Sequence, residues 1–161
     1  MVEVTLHGAL WRGAEEARRE EWRRMIEEIN ADNEVDPRAP GEFSLELVRL
    51  PGGSFQWRLN RDFFERVDAV VLDEARLDVL FEDYASTIRQ MVRMDRDAPA
   101  RGFESMDYAK RVVHDEAADY LLGALQPMVS LRAEDARRLF TLIFLVGGDL
   151  PAELVRYHRA H

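Results

Sequence analysis

The chain has 161 residues, 47% of them hydrophobic and 33% charged, with nine glycines and six prolines; that predicts one globular domain and excludes a disordered, fibrous or linker-rich chain. Its 31 acidic and 22 basic side chains leave a formal net charge of −9, which argues against sequence-blind nucleic-acid binding and against docking on an anionic membrane. There is no cysteine, so disulfides, thiolate metal sites and cysteine nucleophiles are excluded. Val2, Val4 and Leu6 alternate with Glu3, Thr5 and His7, the pattern of a half-buried strand. An acid in this stretch, where a basic segment would open a signal peptide, predicts no secretion signal, and no apolar run is long enough to span a bilayer.

Gly8 and Gly13 bracket a short connection, and from Ala14 to Ile29 the period changes to that of a helix: Ala14, Ala17, Trp22, Met25, Ile26 and Ile29 share a face. Glu15 with Arg19, and Glu20 with Arg24, have the spacing of pairs one turn apart. Residues 32–41, with two prolines, read as a loop. Two alternating runs then flank Pro51-Gly52-Gly53-Ser54: Phe43, Leu45, Leu47 before it and Phe55, Trp57, Leu59 after it, which predicts a β-hairpin over 43–60. Residues 67–72 suggest a fourth strand. Asp73 is placed to cap a helix marked by Leu77, Leu80, Phe81, Tyr84, Ile88 and Met91, and the polar stretch 94–105 reads as a loop. A third helix runs from Met106 to Ala124 and ends before Pro127. A fourth runs from Ala133 to Val146, apolar all round in its second half and therefore buried, and stops at Gly147-Gly148; residues 151–158 suit one last short helix. Strands early and helices late predict an α+β fold, with an antiparallel sheet of about four strands packed on about four helices. The expected core comprises Phe43, Leu45, Leu47, Phe55, Trp57, Leu59, Phe81, Tyr84, Ile88, Leu139, Phe140 and Ile143.

No phosphate-binding glycine loop, dinucleotide fingerprint, nucleophile elbow or zinc-binding helix motif is present, so neither a cofactor nor a metal is expected. His158 and His161 read as part of a frayed tail and His7 as solvent-exposed. His114 borders the apolar stripe of Val113, Ala117 and Leu121, a position that tunes an imidazole; a boundary histidine bonded to a carboxylate is the ordinary reading. Asp107, Arg111 and His114 follow one another on adjacent turns, while Glu116 is rotated about 200° from His114. Arg137 and Arg138 point about 100° apart near a helix start, where a carboxylate or a bound anion would offset their charge.

The stretches from Met106 to Ala117 and from Ala136 to Ile143 resemble uncharacterised protein family 0262, small bacterial proteins found mostly in alphaproteobacteria. The resemblance rests on an Asp, an Arg, a His and a Glu in that order, then a helix beginning Ala136-Arg137-Arg138-Leu139-Phe140-Thr141-Leu142-Ile143, with Glu82, Tyr84, Ile88 and Arg89 upstream. It is strong over about residues 80 to 146 and weak before them. Lys110-Arg111 stands for the family's Arg-Arg, His114-Asp115-Glu116-Ala117 for His-Asn-Glu-Gly, and Phe144 and Gly147 stand near the family's Cys and late His. The resemblance implies that Tyr84, Asp107, Arg111, His114, Glu116, Arg137 and Arg138 belong together, and implies no reaction. The expected function is a non-enzymatic binding or scaffold protein of the bacterial cytoplasm that acts through protein partners as a homodimer. The alternative is an enzyme or sensor for a small anionic ligand, with His114 as acid–base and the arginines as an anion clamp.

Overall fold

Alternation and helical periodicity are realised in the order β1 (Glu3–Leu6), α1 (Gly8–Arg12), α2 (Glu16–Ala31), β2 (Phe43–Arg49), β3 (Phe55–Arg61), β4 (Glu65–Val71), α3 (Glu74–Asp97), α4 (Phe103–Leu125) and α5 (Ala133–Gly147). The structure is a computed structural model that describes residues 1–62, 65–97 and 103–148, and the side chains of these except 95–97 and 103–107. The fold is α+β. Its four strands lie in the order β1-β2-β3-β4 and are mostly antiparallel. The hairpin pairs Leu45 with Leu59 and Leu47 with Trp57, and its turn closes where the Gly53 amide donates to the Leu50 carbonyl at 2.8 Å. Gly53 has φ +99°, a conformation open to glycine and strained for other residues.

The β1–β2 pair is parallel, because the chain leaves β1 and returns to β2 through α2 instead of a tight turn. Periodicity carries no information about this pairing. One face of the sheet buries Val4, Leu6, Phe43, Leu45, Leu47, Phe55, Trp57 and Leu59 against the helices. On the other face Arg58 bonds Gln56 at 2.7 Å and Asn60 bonds Glu46 at 3.3 Å. Every expected core residue is buried except Phe81, which is half-buried and packs its ring 5.6 Å from Phe144.

The helix α5 packs between α2 and α4, which is why its second half is apolar all round. Trp22 of α2 donates its indole N–H to the Leu145 carbonyl at 3.0 Å. The start of α5 is fixed by Asp135, buried, which accepts bonds from the Arg132 amide at 3.1 Å and the Arg132 guanidinium at 2.9 Å.

Several boundaries differ from the sequence reading. The connection between Gly8 and Gly13 contains α1, one turn and a half that is too short to show a period. His7 is half-buried, not solvent-exposed, because its Nδ1 accepts the Ala9 amide at the start of α1. Arg19 turns to Glu16 at 3.7 Å, while Glu20 and Arg24 pair at 3.6 Å as expected. Residues 94–97 and 103–105 are helical, not loop, because a run of charged residues is a solvated helix face until a proline or glycine interrupts it. The suggested helix at 151–158, with His158 and His161, lies outside the described residues.

The two sheet edges are finished differently. On β1, Asn33 accepts the Val2 amide at 3.3 Å and donates to the Val2 carbonyl at 3.1 Å; Asn30 does the same to Val4 at 2.8 and 3.1 Å. One side chain of α2, Asn30, and one just after that helix, Asn33, thus take the place of a neighbouring strand. On the far side, β4 pairs with β3 alone among the described residues.

Candidate functional site

Helix α4 delivers His114 to the seam with α5 because the imidazole stands one place beyond the inward-facing Val113 and three before the buried Ala117. Its Nε2 lies 3.1 Å from the Arg137 carbonyl and 3.0 Å from the Thr141 hydroxyl oxygen. The Thr141 hydroxyl donates to the same carbonyl at 3.0 Å, so the proton on this ring nitrogen belongs to histidine and Nε2–H is the donor. Burial lowers the His114 pKa; the bond to the Arg137 carbonyl works against that, and the charges of Lys110 and Arg137 work with it. The ring is therefore neutral at physiological pH, a spacer between helices with its donor already engaged.

Tyr84 of α3 completes the seam. It is fully buried, with its ring 5.4 Å from His114, 5.6 Å from Phe140 and 4.9 Å from Phe144. Burial pushes its phenol pKa well above the usual range, so it stays protonated.

The other singled-out residues disperse from this seam. Arg137 turns its guanidinium outward to Asp115 at 2.7 Å and meets His114 only through its carbonyl. Arg138 points toward the end of α2, bonding Glu134 at 2.9 Å and the Asp32 carbonyl at 2.7 Å. Glu116, rotated away from His114 and so expected to reach a different neighbour, such as an arginine of the fourth helix or a backbone amide, pairs with Arg76 of α3 at 3.0 Å. Arg111 is exposed, and the side chain of Asp107 lies outside the described ones. The structure thus joins Tyr84 and His114 to the backbone of Arg137, while the Glu116 and Arg138 side chains face separate neighbours.

Sequence reasoning missed the polar residues that do structural work by reaching backbone: Asn30 and Asn33 on the edge of β1, and Asp135 at the start of α5. Burial pushes the Asp135 carboxyl up, but the bonds from Arg132 and from the Glu34 amide outweigh it and hold its pKa below the usual carboxylate range. The same pairing raises the Arg132 pKa. No cluster of histidine and carboxylates spaced to hold a metal ion occurs among the described residues. Nor, among them, is any helix long and apolar enough to cross a membrane.

The profile described as Uncharacterised protein family (UPF0262) matches residues 1–147, well beyond the region that carries the resemblance in sequence. Among curated relatives, a UPF0262 protein of Erythrobacter litoralis is 32% identical over 139 residues, 83% of this chain and 86% of that one. A UPF0262 protein of Sphingopyxis alaskensis is 30% identical over 103 residues, 64% of this chain and 62% of its own length. One of Novosphingobium aromaticivorans is 36% identical over 77 residues, 48% of this chain and 47% of its own, so these last two matches span less than two thirds of the relative. No solved structure matches. Fold, core and the α4–α5 segment together have one family to answer to, and the chain belongs to UPF0262.

Proposed function

We propose that this chain is a non-enzymatic binding protein of the bacterial cytoplasm that acts through protein contacts, the first of them with a second copy of itself. The observation that carries this reading is the asymmetry of the sheet: β1 is closed by Asn30 and Asn33, while β4 keeps an open edge with Val67 38% and Val71 54% exposed. The Leu72 amide bonds the Phe55 carbonyl, so by alternation Ala69 and Val71 turn their backbone groups away from β3. Antiparallel pairing of two copies about Ala69 sets Val67 of each against Val71 of the other, making cross-strand contacts out of side chains now facing water. The exposed Asp68, whose Oδ1 takes the Ala69 amide at 2.8 Å, has to release that amide for the pairing, and with the irregularity beside Leu59 it keeps the paired run short, which suits a reversible dimer. The use of the His114 Nε2–H to tie α4 to the α5 backbone, and the pairing of Asp115 with Arg137 and of Glu116 with Arg76, support structural roles for these side chains and so favour binding over catalysis.

Light scattering over a concentration series tests the dimer. The wild type should approach twice 18.7 kDa. Val71→Lys, on an exposed position, should remain monomeric with its melting temperature unchanged. A wild-type mass of one chain up to about 1 mM, the weak limit of specific association, overturns the reading.

A further inference from the structure

Positive charge gathers at one corner of a chain whose net charge is −9. Where α1 meets α2, the residues Trp11, Arg12, Arg19 and Arg23 line an open cleft of about 410 Å³. They are held in place from beneath. The Arg19 Nε donates to the Trp11 carbonyl at 2.9 Å, tying the end of α1 to the first turns of α2. The Trp11 ring leans on Trp22, centroids 5.6 Å apart, and Trp22 is pinned to α5 by its bond to Leu145. The Arg23 guanidinium sits 5.7 Å from the Trp11 ring centre, within cation–π range.

The protein's own anion marks the place. Arg23 and Arg19 converge on the Glu16 carboxylate, at 3.3 and 3.7 Å, and that carboxylate is 73% exposed. So exposed a pair is weak, and the glutamate is free to swing aside. Arg12 lines the same cleft with no ion-pair partner among the described residues. Three guanidiniums line the cleft and two of them share one exposed carboxylate, which leaves an excess of positive charge that a dianion would neutralise better than Glu16 does.

We infer that this cleft binds a small organic phosphate with a planar ring, of mononucleotide size. The phosphate takes the place of Glu16 between Arg19 and Arg23, with Arg12 as a third donor, and the ring lies against Trp11. Guanidinium forks match phosphate oxygens and their planes stack on aromatic rings, so one set of side chains recognises both halves of the ligand. The cleft volume falls in the range of small-molecule sites. A long nucleic-acid strand is a poorer fit, because phosphates beyond the first would meet an acidic surface.

The test is titration of the full chain with AMP, inorganic phosphate and adenosine, followed by tryptophan fluorescence and calorimetry. AMP should bind saturably and more tightly than either fragment. Arg12→Ala and Arg23→Ala, both on exposed positions, should each weaken AMP by about tenfold, the loss of one charge-assisted bond. Glu16→Gln should tighten it, because the competing carboxylate is gone. No AMP response at about 10 mM, a response indifferent to all three substitutions, or phosphate or adenosine binding as tightly as AMP overturns the inference. None of these residues lies on β4, so the result is independent of the dimer.

Discussion

His114 shows how much chemistry a single position can be given by its neighbours. The sequence placed it at the boundary of an apolar stripe, and that is where it lies. Its partner was out of reach of the same reasoning: the acceptor is the carbonyl of Arg137, and a backbone group has no residue type to betray it. The carboxylate partner that side chains alone suggest is engaged elsewhere: Asp115 pairs with Arg137. The consequence is a pH dependence with a definite sign. A histidine whose folded pKa is lowered takes up its proton more readily in the unfolded chain. Above the ordinary value of about 6.5 both states hold it neutral and it contributes no slope; as pH falls below that value, the unfolded state gains protons first and stability drops. Chemical denaturation from about pH 7.5 down to about pH 5 should therefore show a smaller loss of stability in His114→Gln than in the wild type. Equal losses would show that the ring is not held neutral. Asp135 acts lower on the scale: its depressed pKa adds stability that is present above the ordinary carboxylate range and lost as pH falls through it.

Elements were legible where the period was long and the stop signals were sharp. The hairpin, the buried helix α5 and the cap at Asp73, whose Oδ1 accepts the Arg76 amide at 3.1 Å, follow from alternation, from a continuous apolar run and from a residue type. The five residues of α1 were too few to show a period, and the ends of α3 and α4 were hidden by charged residues that suit a helix surface as well as a loop. Two glycines within helices separate propensity from packing. Gly123 stands in α4 with open space where a side chain would begin, and Gly147 ends α5 with the Phe55 ring 2.5 Å from that point. Gly123→Ala should raise stability by about 0.5–1 kcal/mol, the ordinary helix preference for alanine. Gly147→Ala should lower it by about 1–3 kcal/mol, because the ring of a central strand has to move. Urea melts of the two variants that shift in the same direction would remove the argument that Gly147 is there for close approach.

At the scale of the whole molecule, the proposed dimer raises the question of why a four-stranded sheet with two edges would stop at two copies. Composition and charge could not answer it, and neither could strand count, which left both edges equivalent. The structure makes them unequal: Asn30 at the end of α2 and Asn33 just after it close β1 with amide side chains that satisfy the same donors and acceptors a fifth strand would. An assembly that pairs through β4 alone is closed by its own two-fold axis, whereas a chain with two open edges can add further chains without end. Asn30 is the more accessible of the two sealing residues, half-buried where Asn33 is buried, so its removal perturbs the core less. Asn30→Ala uncovers the Val4 amide and carbonyl while leaving Val4 itself in the core. The expected outcome is a shift from a dimer to a broad distribution of larger species in light scattering, growing with concentration. Adding Val71→Lys to Asn30→Ala closes the other edge by charge and should return the distribution to small assemblies, since growth then has only one site. Large species that persist in the double variant would mean that they form by partial unfolding and not by edge pairing, and the role given to Asn30 would fall.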